Sequence, residues 1–146
     1  MRWGIAVIAS VWMTIPSIAQ EADVEFNKWS CFPFTREALY DFEVNKSRVR
    51  VNNLNIEDGV AFITKAPTIS FSATVANRTD VNVAVTVELV GMSGGKPVFA
   101  LSGDAGFGFV AAGKNDEVKG TIVATRDTLK KAGTICVRVG GFGQTE

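Results

Sequence analysis

Histidine is missing from all 146 residues of this chain. Its absence removes the usual general base of serine and cysteine hydrolases and the commonest ligand of zinc and copper. Cysteine is scarce, with only Cys31 and Cys136, and no C-x-x-C spacing exists to depress a thiol pKa. Beyond residue 19 the sole methionine is Met92, so a methionine-rich copper site is not expected. Neither sign of charge is in excess, because Lys plus Arg and Asp plus Glu each total 15. A balanced chain has no general attraction to nucleic acid or to an anionic membrane. Gly103, Gly106 and Gly108 lack the strand-to-helix setting in which glycines cradle phosphate, and no cofactor is expected.

What is present begins with an address. Met1-Arg2 gives a basic start, Trp3 to Ile15 is almost wholly apolar, and Pro16 precedes the small-residue stretch Ser17-Ile18-Ala19. That order is read by signal peptidase, so residues 1–19 are predicted to be a signal peptide cleaved after Ala19. The apolar stretch is shorter than the roughly 20 residues a spanning helix needs, and no membrane span is expected after processing. Residues 20–146 then form one domain, exported to the periplasm or beyond, large enough to bury a core by itself. In an oxidising compartment Cys31 and Cys136 are predicted to form a disulfide tying the N-terminal segment to the last strand. Chain entropy puts a crosslink over so long a loop at about 4 to 5 kcal/mol.

Along the mature chain the dominant period is two. From Leu39 to Asn45 the alternation of Tyr40, Phe42 and Val44 with polar residues predicts a half-buried strand. A helix beginning at Thr35 is the alternative for residues 36–42. Val49 and Val51 start a second alternation whose phase slips before Leu54 and Ile56, as a bulge near Asn52-Asn53 would cause. Glu57-Asp58-Gly59 reads as a turn before a short strand from Val60 to Thr64. Ile69, Phe71, Ala73 and Val75 share one face of the next strand, and Val81, Val83, Val85, Val87 and Leu89 share one face of its successor. Four polar residues join them, which predicts an antiparallel hairpin. Strands from Val98 to Ser102 and around Val118 to Ala124 follow, then a helical turn over Arg126 to Lys131. The closing strand runs from Thr134 to Val139, with Ile135, Val137 and Val139 on one side. Seven to eight short strands at this spacing indicate an all-β antiparallel sandwich.

The strand Ile69-Ser70-Phe71-Ser72-Ala73-Thr74-Val75, the turn Asn77-Arg78-Thr79, the valine-rich strand 81–89 and the glycine turn Gly94-Gly95-Lys96-Pro97 give the second half a familiar layout. It resembles the small extracytoplasmic immunoglobulin-like β-sandwiches that bacteria export. The resemblance implies a binding or scaffolding module.

Several residue groups offer chemistry. Lys46, Arg48 and Arg50 alternate and are expected to point the same way from one strand, where they would receive an anion or an acidic partner. Charge protecting an edge strand from aggregation is the plainer reading. Phe107 and Phe109, set among glycines between Gly103 and Gly113, are a candidate recognition loop or a plug for the end of the core. Asp41 with Glu43, Glu57 with Asp58, and Asp116 with Glu117 are candidate carboxylate pairs for a glycosidase, and ordinary solvated charge explains them. Asn45-Lys46-Ser47 and Asn77-Arg78-Thr79 match the glycosylation acceptor pattern. The expected function is non-catalytic: an exported module that contacts another extracytoplasmic protein. A surface-fibre subunit of the pilus type and a carbohydrate-active enzyme are the alternatives.

Overall fold

A computed structural model describes residues 26–143; the signal-peptide assignment lies outside the described residues. Eight strands and two short helices follow in order. They are β1 (Ser30–Pro33), α1 (Arg36–Tyr40), β2 (Glu43–Lys46), β3 (Val49–Val60), β4 (Pro67–Asn77), β5 (Val83–Ser93), β6 (Lys96–Ala105), β7 (Asn115–Val123), α2 (Thr128–Lys131) and β8 (Thr134–Gly143). All strands join one antiparallel sheet in the order β1-β8-β5-β6-β7-β4-β3-β2.

The period-two pattern has its expected effect on burial. Ile69, Phe71, Ala73 and Val75 of β4, Val85, Val87 and Leu89 of β5, and Ile135, Val137 and Val139 of β8 all point into one core. Branched side chains suit this pleated, half-buried surface. The sheet is narrowest between β6 and β7, which pair only through Asp104–Lys119 and Ala105–Val118. Two glycines make that junction. A Cβ on Gly103 would lie 2.0 Å from the Lys119 carbonyl oxygen, and one on Gly120 would lie 2.4 Å from that of Ser102. From this junction the sheet curls round until its two edges meet. The rings of Phe32 (β1) and Phe42 (just before β2) stand 6.1 Å apart, and the Lys46 ammonium lies 5.8 Å from the Phe26 ring. Cys31 and Cys136 are directly opposed on β1 and β8 and form the expected disulfide, fastening an edge strand only four residues long.

Several expectations are corrected. β4 and β5 are not a hairpin: β4 lies between β3 and β7, and β5 between β6 and β8. Each has an apolar inner row, that of β4 ending in the buried Asn77, and the polar link between them crosses from one half of the sheet to the other. Residues 36–40 are helix, as the alternative had it, because the Thr35 hydroxyl accepts the Ala38 amide as an N-cap. Asp41 is therefore a helix cap and shares no strand face with Glu43. Glu57-Asp58-Gly59 is not a turn but pairs with β4 as part of β3, which runs on to Val60, and residues 62–64 turn where a strand was expected. Gly103 belongs to β6, so the glycine loop starts only at Gly106. The bulge is where the sequence put it: the β3–β4 register shifts between Asn52 and Asn55, with Asn53 at φ 55°.

Candidate functional site

Three connections meet at one end of the sheet: the β2–β3 turn, the β4–β5 link (78–82) and the β6–β7 loop (106–114). Asn77 holds two of them together. Its side chain is fully buried, and its Nδ2 donates to the carbonyls of Val81 at 2.8 Å, Val110 at 3.0 Å and Ala111 at 3.2 Å. Its Oδ1 accepts from the Thr79 amide at 2.9 Å and the Thr79 hydroxyl at 2.6 Å. A buried amide so completely satisfied fixes loop backbone that would otherwise be short of partners. It is closed to glycosylation, which excludes the acceptor reading of Asn77-Arg78-Thr79.

The β2–β3 turn is built from Ser47 and Arg48, both left-handed at φ 49° and 66°. A two-residue loop of this form matches the twist of its strands, but it usually recruits Asn or Gly. The strained pair separates the three cations that the sequence placed on one face. Lys46 lies opposite Val49 and goes with the inward row at the rim, over the Phe26 ring. Arg50 lies opposite both Asn45 and Ala76 on the outward row. Arg48 projects from the turn itself.

The third arginine of the cluster is Arg78. Its backbone amide donates to the Arg48 carbonyl at 2.9 Å, and its Nη1 reaches the Gly113 carbonyl at 3.5 Å. Asn45, Arg48, Arg50, Ala76 and Arg78 line an open recess of about 320 Å³. Small, buried Ala76 forms its floor. Among the described residues no carboxylate forms an ion pair with any of the three guanidinium groups. The recess is thus positive and uncompensated, with planar donor forks suited to phosphate, sulfate or carboxylate oxygens. Sequence reading missed Arg78, because only the β3–β4 register brings the end of β4 beside the start of β3.

The two loop phenylalanines part company. Phe107 is 87% exposed beside Gly108, which takes φ 78°. Phe109 is half-buried, held next to Val110, whose amide and carbonyl both bond to Val83. Of the paired acids, Glu57 and Asp58 lie on β3, and Asp116 and Glu117 on β7. Glu117 bonds Lys119 at 2.8 Å, and this partner lowers its pKa, opposite to what a general acid needs. Glu88 is likewise held below the usual carboxylate range by its hydrogen bond from Arg138. No described helix is long and apolar enough to cross a membrane. No protein-family model, curated protein or solved structure matches the chain.

Proposed function

We propose that this protein is an exported, non-catalytic binding module that grips an anionic group on another extracytoplasmic protein through Arg48, Arg50 and Arg78. In this reading residues 1–19 are the cleaved leader. The curled sheet is an immunoglobulin-like sandwich whose halves, β1-β8-β5-β6 and β7-β4-β3-β2, face each other across the glycine junction. The narrow β6–β7 pairing and the meeting of Phe32 with Phe42 support that layering. The disulfide supports the compartment, since such crosslinks persist where conditions oxidise.

The observation that carries the function is the convergence of three arginines with no carboxylate partner among the described residues. Evenly mixed charges would normally neutralise such a cluster, and leaving it bare costs self-repulsion. Envelope extracts passed over immobilised protein should yield one stoichiometric partner, released by moderate salt and lost in the triple variant R48A/R50A/R78A. Recovery of the same partner by that variant would reject the site. Steady hydrolysis of a defined substrate by the pure protein would reject the non-catalytic reading.

A further inference from the structure

At the opposite end of β3, about 35 Å from Arg48 at strand spacing, the β3–β4 connection carries two bare apolar side chains. Phe62 is 88% exposed and Ile63 is 89% exposed. The loop beneath them is closed on itself: the Ala61 amide donates to the Ala66 carbonyl at 2.8 Å, and the Lys65 amide to the Ala61 carbonyl at 2.9 Å. The Thr64 hydroxyl accepts the Ala66 amide at 3.4 Å. Phe62 and Ile63 are therefore held out on a bonded turn. Val60 and Val123, both well exposed, flank the hairpin base on opposite faces of the sheet, Val60 opposite Pro67 and Val123 opposite Thr68.

We propose that this tip is an insertion prong for a lipid bilayer surface. Small apolar area together with neighbouring cations favours a bilayer over a globular partner or a second copy. Even with about 200 Å² for the aromatic side chain, four residues fall short of the ~800 Å² per partner that a stable protein interface buries. A bilayer needs less, because a few apolar side chains can sink below the headgroups while cations stay at phosphate level. The cations are in place. The Lys65 ammonium lies 5.0 Å from the Phe62 ring centre. The Ala124 amide bonds the Pro67 carbonyl at 2.9 Å, so Arg126, Lys130 and Lys131 leave β7 beside the hairpin base. Asp127 binds Lys130 and Asp58 of β3 also acts on it, with Glu57 beside Asp58, so Lys65, Arg126 and Lys131 carry the net positive charge here. Attachment is thus apolar first, with modest dependence on anionic lipid. A module held by this tip presents the arginine recess away from the surface.

The test is flotation of the chain, in the form its own leader exports, with vesicles of phosphatidylethanolamine and phosphatidylglycerol. Wild type should float, and F62S/I63S should lose at least about tenfold in partitioning. F62L/I63L should float like wild type, and so should R48A/R50A/R78A, which separates this proposal from the recess. Because both changed side chains are in solvent, F62S/I63S should melt at the wild-type midpoint. Wild type remaining with the unbound fraction would overturn the prong, as would equal flotation of F62S/I63S. A dimer in solution that F62S/I63S dissolves would give the tip to a second copy and overturn it too.

Discussion

The Arg78 amide donates to the Arg48 carbonyl at 2.9 Å, across two chain segments thirty residues apart. One backbone bond thus joins the end of β4 to the strained β2–β3 turn and sets two arginine side chains at one recess. The turn residues carry a conformational cost that Asn and Gly would not.

Replacing the turn by S47N/R48G should therefore raise stability, by about 0.5 to 1 kcal/mol, while weakening capture of an anionic partner. Denaturant melts and salt-dependent binding on the same preparation check this. A variant that is both less stable and fully competent to bind would contradict the account.

Asn77→Ala removes the amide that three carbonyls and Thr79 rely on. Leaving buried groups unsatisfied costs about 1–3 kcal/mol for each truly lost bond, so a loss of roughly 3 kcal/mol is expected. Hydrogen exchange should quicken first across residues 78–82 and 106–114. A near-wild-type melting midpoint would show that water replaces the side chain.

Cys31–Cys136 ties a four-residue edge strand to β8 and closes a loop with sequence separation 105. The double change C31S/C136S should lower stability by about 2–4 kcal/mol. The rings of Phe32 and Phe42 should also part, because β1 has no other strand partner among the described residues. Chemical melts with and without reductant measure the first effect. Identical curves would contradict it.

Glu88 and Arg138 face each other on the outward row of β5 and β8, and Trp29 lies over the guanidinium at 5.2 Å. The hydrogen bond from Arg138 outweighs the effect of burial and lowers the Glu88 pKa from its ordinary 4.5. This contribution is complete above about pH 4.5 and fades as pH falls through the lower folded value. Both side chains are partly exposed, so solvent screening keeps it small. E88Q should flatten the acid limb of stability against pH by that small amount and leave neutral binding unchanged. An unaltered acid limb would contradict the pairing.

Local pattern was enough for the all-β class, the inward faces of β4, β5 and β8, the bulge and the cystine. Each follows from local alternation, one phase slip, or a pair with no competing partner. The Thr35 cap was also readable, although period two spoke for a strand over the same residues and a single hydroxyl outweighed it. Tertiary structure alone decided which strands are neighbours. Val83 to Leu89 would suit β4 as well as β8, since an apolar face carries no name for its partner. The link through Asn77 breaks that tie, because its amide finds acceptors only where the chain crosses to Val81 and Val110. The recess has the same origin: Arg48, Arg50 and Arg78 meet through register, a relation between distant segments that no spacing along the chain can express.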